Sequence, residues 1–357
     1  MELYQAHRQW AERPADERFR SLPEMHAATL GYRGTAAEAT APYSSLRVEA
    51  REQDLVLVGN ANVPARLTHW AMGQMSARAG APAGYLRQLP ATLAAQNLNH
   101  GLKQLGEGAG SAQLLFHKNG DLVVRAATSE RYSRIWNHEV IERLLPLLES
   151  GWTLPPVGMD IGQGPAHGLY ASDHDMFAFL IRDDRRINDG SGGGLARGVF
   201  VVNSEVGAAA LKVKTFLYRF ICGNHIVWSA EQVQELAIRH VGAADQRFGR
   251  QLVGELRRYA DSSASNLEAK IESARRFELG ADKDKVLDAV FGRMRGELSR
   301  KQLAASYEET VRHPEDGSPR TAWGLAQGVT RLSQAEPYAD TRAKMDRAAG
   351  KIVQMAF

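Results

Sequence analysis

Strand-forming runs crowd the middle of this 357-residue chain and stop near residue 240. From about 112 to 228 the sequence offers short β-branched and aromatic runs closed by turn signals. From 243 to 310 it offers only helical periodicity. Nowhere does a strand alternate with a long helix, which argues against a doubly wound parallel sheet. The pattern predicts an α+β fold: an antiparallel strand-rich central region flanked by an N-terminal helical segment and a long helical C-terminal region. Three parts follow from it: an irregular N-terminal arm over 1–43, an α+β core domain over 44–240 and a helical C-terminal region over 241–357.

Local signals fill in this outline. Pro14, Pro23, Gly31, Gly34 and Pro42 punctuate the first fifty residues and read as an irregular lead-in. Strand signals begin at Ser44–Glu49 and Asp54–Gly59. Thr68 caps a helix carrying Trp70, Met72 and Met75. A short helix with Leu86 and another with Leu98, Leu102 and Leu105 follow. Asn119-Gly120 lies between two strand-like runs, the strongest hairpin signal in the chain. Asn137 is placed to cap a helix over His138–Leu148, with Pro146 kinking its last turn. Ser172-Asp173-His174-Asp175 joins the runs Gly168–Ala171 and Met176–Arg182. Residues 184–194, DRRINDGSGGG, read as a loop, without the lysine and Ser/Thr of a phosphate-binding loop. Strands over Gly198–Val202 and Ala209–Ile221 come next. Ser229 with Gln232 forms a capping box that opens a helix through Leu236 and Ala237 to Arg239 and His240.

Composition narrows the function classes. Basic residues exceed acidic ones by only three, so a nucleic-acid surface has to be a local patch. The lone cysteine, Cys222, rules out an intrachain disulfide and fits a cytoplasmic setting. The N-terminal stretch lacks the apolar segment of a secretory signal, and no apolar run is long enough for a membrane span.

Four chemistries compete for the polar residues in and around 195–240. Cys222, His225 and His240 have a ligand spacing compatible with zinc, given a fourth ligand or water. Ser204, in Asn203-Ser204-Glu205 at a strand end, could be a nucleophile with His225 or His240 as base, although nucleophile-elbow glycines are missing. The plainer reading of Asn203 and Ser204 is a turn bonded to its own backbone. Asp173, Asp175, Asp183, Asp184 and Asp189 suggest a divalent metal and a nuclease, against the simpler reading of solvated loops beside Arg182, Arg185 and Arg186. The basic reading is the most natural. Arg131, Arg197, Lys212, Lys214, Arg219 and Arg239 suit phosphates, and Tyr132 and Tyr218 suit stacking on unpaired bases. Lys212 and Lys214 share a strand face by the period of two.

Longer stretches carry a resemblance. These are WAMGQMSARAGAPAGYLRQLPATLAAQNLNHGL at 70–102, VRAATSERYSRIWN at 124–137, RGVFVVNSEVGAAALKVKTFLYRFICGNHIVW at 197–228 and TAWGLAQGVTRLS at 321–333. Together they resemble the phage/plasmid-like protein family that contains domain of unknown function 932. Where that family resembles Cys-x-Asn-Gly, this chain has Cys222-Gly223-Asn224-His225, so the resemblance gives His225 no ligand or catalytic role. The resemblance implies proteins encoded near replication and recombination functions, and hence DNA handling or strand annealing.

The sequence expectation is therefore a DNA-binding accessory protein that contacts single-stranded DNA and needs no cofactor. A homo-oligomer built through the C-terminal helices fits that role. A metal-dependent nuclease or phosphodiesterase holding a divalent metal is the enzymatic alternative. A protein-binding inhibitor or assembly factor is the third.

Overall fold

The computed structural model describes residues 17–58, 64–155, 168–189, 193–219, 224–226, 236–242, 265–294, 296–335 and 339–357, with Gly254, Leu256, Arg258 and Tyr259. It has the expected class, α+β, with antiparallel sheets in the middle and helices at both ends.

Residues 22–42 are not an irregular arm. Helix α1 spans Leu22–Gly34 and strand β1 spans Ala36–Pro42. Ser21 accepts the Glu24 amide at 3.2 Å, and Pro23 sits in the first turn, where a missing N–H costs nothing. Pro23, read as punctuation, is a helix start. Leu22 and Met25 then bury one side of α1.

The first sheet contains β1, β2 (Arg47–Arg51), β3 (Asp54–Val58), β4 (Ala65–Leu67), β5 (Ser111–Asn119) and β6 (Asp121–Ser129), in the order β1-β5-β6-β4-β3-β2. Every pairing is antiparallel except β4 with β6. The β5–β6 hairpin turns at the expected dipeptide, and Gly120 takes the positive φ of +78°. Helices α2 (His69–Arg78), α3 (Ala83–Leu86) and α4 (Ala91–Gln104) cover one face. Met72, Met75, Leu98 and Leu102 pack there on Val48, Leu57, Leu114 and Val124. Thr68 caps α2 as predicted, accepting the Ala71 amide at 3.1 Å.

Helix α5 (Asn137–Glu149) leads into the second sheet: β7 (Trp152–Thr153), β8 (Leu169–Ala171), β9 (Met176–Ile187), β10 (Leu195–Asn203), β11 (Leu211–Arg219), β12 (Asn224–Ile226) and β13 (Leu236–Ile238). Its main order is β12-β11-β10-β9-β7, with β13 also on β11 and β8 also on β9. Alternation divides its side chains. Met176, Ala178, Leu180, Val199, Val201, Leu211 and Val213 pack with α1 and α5, while Phe177, Phe179, Phe200, Phe216 and Tyr218 form an aromatic cluster. Two expectations are corrected here. Strand β9 runs through the polar residues to Ile187, because Ile187 pairs with Leu195. Leu236 and Ala237 are strand rather than helix, because Leu236–Ile238 closes the edge of β11 opposite Leu211–Val213. The capping box at Ser229 and Gln232 lies outside the described residues.

The C-terminal region is helical as expected: α6 (Ser265–Arg276), α7 (Lys283–Phe291), α8 (Arg300–Arg312), α9 (Ala322–Ala335) and α10 (Ala339–Gln354). Asp282 caps α7, and Ser299 with Gln302 forms the capping box of α8. Gly328 lets α9 approach the Ser306 carbonyl of α8 so closely that a Cβ would overlap it. These helices dock on the second sheet through Ile187, Leu195 and Leu217. Among the described residues, no helix is long and apolar enough to cross a membrane.

Candidate nucleic-acid interface

The stretch Asn203-Ser204-Glu205 lies between the two sheets, and its polar groups are consumed there. The Asn203 amide donates at 2.9 Å to the Ile135 carbonyl and at 2.9 Å to Asn137 Oδ1. Ser204 Oγ donates to the His174 carbonyl at 2.7 Å and accepts the amides of Val206 and Ala208 at 3.3 and 3.0 Å. Glu205 Oε2 accepts Arg125 Nη1 at 3.1 Å, and its Oε1 accepts the Asn137 amide at 2.9 Å. That amide opens α5, so a carboxylate from the second sheet sits where the helix favours negative charge. Asn137 is thus the first helical residue, not the cap. The residue before it, Trp136, takes the cap position.

More groups reach the same turn. Arg125 also donates to the Asp173 carbonyl at 2.6 and 3.1 Å. Trp70 Nε1 and Gln74 Nε2 both donate to the Val206 carbonyl, at 2.9 and 2.7 Å. Arg134 donates to the Glu205 carbonyl and, through Nε, to Glu38 at 2.9 Å. This arrangement answers the nucleophile question for Ser204. Its proton is directed to a backbone carbonyl, and the turn reading holds. The network joins β1, β6, α2 and α5 to the end of β10.

Beside it, residues 132–133 and 240–241 are joined. Tyr132 and Val241 form an antiparallel bridge, and the Ser133 amide donates to the His240 carbonyl at 2.9 Å. The Tyr132 ring stacks on His240 with centroids 5.1 Å apart and planes 12° apart. The Tyr132 hydroxyl donates to the Ser204 carbonyl at 2.9 Å, and burial pushes its pKa well above the usual tyrosine range, so it stays a donor. Burial, seconded by the Arg134 guanidinium, pushes His240 down to about 4, which leaves it neutral near pH 7. Among the described residues, neither ring nitrogen of His240 and not Nη2 of Arg134 has a hydrogen-bond partner, although all three atoms are buried.

The basic and aromatic candidates fall in different places. Arg131 and Arg239 are exposed, on the two segments that the Tyr132–Val241 bridge brings together. Lys212 and Lys214 share a half-buried strand face, as the period of two predicts, beside Phe216 and Tyr218. Two candidates are withdrawn from the surface. Tyr218 is 3% exposed inside the aromatic cluster, and Arg197 is 2% exposed with its guanidinium 5.9 Å from the Tyr259 ring. A buried ring cannot stack on a base, and a buried guanidinium cannot reach a phosphate. Tyr132 is already stacked and hydrogen-bonded. Arg219 and His225 lie in β11 and β12, but only their backbones are described, and Cys222 lies outside the described residues. The proposed zinc set of Cys222, His225 and His240 therefore lies in part outside the described residues.

Two of the five acidic candidates are taken by neighbouring arginines. Asp183 pairs with Arg186 at 2.6 Å and Asp184 with Arg182 at 2.7 Å, both within β9, and Asp175 is buried against Ser172. Among the described residues, no three His, Cys, Asp or Glu side chains group to hold a metal ion. Sequence reasoning passed over Arg125, Arg134 and the anchoring role of Glu205. The alternation Tyr132, Arg134, Trp136 was the available signal for Arg134.

The sequence model of one family, described as a domain of unknown function (DUF932), matches residues 125–351, more than half of the chain. No curated protein and no solved structure matches the chain.

Proposed function

The chain belongs to the family of that domain of unknown function (DUF932), and on that premise we propose that it is a non-catalytic protein that binds single-stranded DNA. The contact surface in this reading is the ridge made by residues 129–134 and 239–242. One observation carries it: the Tyr132–Val241 bridge holds Arg131 and Arg239, more than a hundred residues apart in sequence, as exposed cations on adjoining segments. Guanidinium groups on a rigid frame meet phosphates without the entropy of ordering a loop. Lys212 and Lys214 supply further charge on the second sheet. Annealing of complementary strands in recombination or replication is the finer form of the proposal, and a cytoplasmic setting goes with it. The nuclease alternative draws less support, because Asp183 and Asp184 are neutralised by their own neighbours.

The test is titration of a labelled single-stranded oligonucleotide at several salt concentrations, for the wild type, Arg131→Ala and Arg239→Ala. Each lost phosphate contact lowers affinity and reduces the slope of log affinity against log salt by about 0.7. Wild-type binding that is absent at low salt, or slopes unchanged in both variants, overturns the reading.

A further inference from the structure

Strand β1 ends the first sheet, and among the described residues no strand lies beside its outer edge. Edges of this kind are usually blunted by charged side chains, above all lysine, by proline, or by a bulge or a covering element; β1 carries one charge, Glu38, and a proline only at its last position. Here the ladder to β5 runs without a shift from Ala36↔His117 to Pro42↔Ser111, and the sequence AAEATAP contains no lysine. Residues 37–40 are exposed.

The hydrogen-bond parity of that edge can be read directly. The Lys118 amide donates to the Thr35 carbonyl at 3.1 Å and the Tyr43 amide to the Gly110 carbonyl at 3.3 Å. Both contacts lie on the β1–β5 register, so the odd residues 35 to 43 exchange bonds with β5. The even residues Ala36, Glu38, Thr40 and Pro42 therefore turn their backbone groups outward. Pro42, with no N–H to give, falls on the outward set, the position that a proline tolerates in an edge strand.

We propose that this edge pairs with the same edge of a second copy of the chain, antiparallel about a two-fold axis at Ala39, joining the two six-stranded sheets into one. In that register Glu38 exchanges both backbone bonds with Thr40 of the other copy. The Ala36 N–H donates to the Pro42 carbonyl, and the N–H that proline lacks falls at the end of the ladder. Every outward N–H of β1 is used. Sliding by one pair in one direction sets Glu38 against Glu38, a like-charge pair that destabilises a sheet. Sliding in the other direction sets Thr40 against Thr40 and leaves the Ala36 N–H without a β1 acceptor. The proposal does not depend on the DNA reading.

Two measurements test it. Sedimentation velocity should give a dimer for the wild type, and Thr40→Pro should halve that mass with melting unchanged, since Thr40 turns its N–H away from β5. Separately, in a Cys222→Ser background, Ala39→Cys should form an interchain disulfide on mild oxidation while Thr40→Cys should not. Residues facing each other in a non-hydrogen-bonded pair have Cα atoms about 4.5 Å apart, within reach of a disulfide. A wild type that is monomeric throughout the micromolar range, or equal cross-linking at 39 and 40, overturns the proposal.

Discussion

Arg125 of the first sheet and Glu205, in the turn that follows β10 of the second, meet as an ion pair at 3.1 Å with both side chains 4% exposed. Removing one partner leaves a buried charge uncompensated, a loss of about 3–5 kcal/mol, whereas removing both costs less. Arg125→Met and Glu205→Met should each destabilise by that amount. In a double-mutant cycle read by urea unfolding, the double variant should fall well short of the sum.

Ser204 should behave as a structural residue. Ser204→Ala gives up one donated and two accepted hydrogen bonds, so it should cost about 1–3 kcal/mol. Affinity for a single-stranded oligonucleotide should stay at the wild-type value. Loss of an enzymatic activity in this variant without loss of stability would restore the nucleophile.

His240 makes stability depend on pH. Its folded value of about 4 lies below the ordinary 6.5, so the unfolded chain takes up a proton first as the pH falls. Stability tied to the neutral ring is complete above about 6.5 and drains between there and about 4, by up to about 3 kcal/mol. His240→Phe keeps a ring against Tyr132 and removes the titration. Unfolding free energy measured at pH 7, 5.5 and 4 should fall more steeply for the wild type than for this variant.

Gly198 pairs directly with Phe216, and a Cβ on it would overlap the phenyl ring. Gly198→Ala should cost about 1–3 kcal/mol through overpacking. Adding Phe216→Leu should recover part of that loss, which thermal melting of the wild type and the two variants would show.

Much of the fold is legible in residue pattern, and the failures have physical causes. Thr68, Asn119-Gly120, Asp282 and Ser299 act locally, so their signals survive into the structure. Strand β1 is rich in alanine, a poor strand former, and exists because β5 pairs with it from far along the chain. Leu236–Ile238 likewise becomes a strand because β11 has an edge to fill. At the site, charge and aromatic type marked Arg197 and Tyr218, but the sequence could not say which face of the sheet is covered. Arg131 and Arg239 are adjoining only through a tertiary bridge, which no spacing along the chain encodes.

The junction around Glu205 also sets an order on synthesis. Arg125 and Arg134 emerge from the ribosome well before the turn whose Glu205 carboxylate and carbonyl accept from them. At ordinary elongation rates the stretch from residue 125 to residue 205 takes roughly 4–16 s. Throughout that interval Arg125, on β6 of the first sheet, lacks the carboxylate against which it is buried. The contacts that join the two sheets at this seam can therefore form only after Asn203-Ser204-Glu205 has arrived.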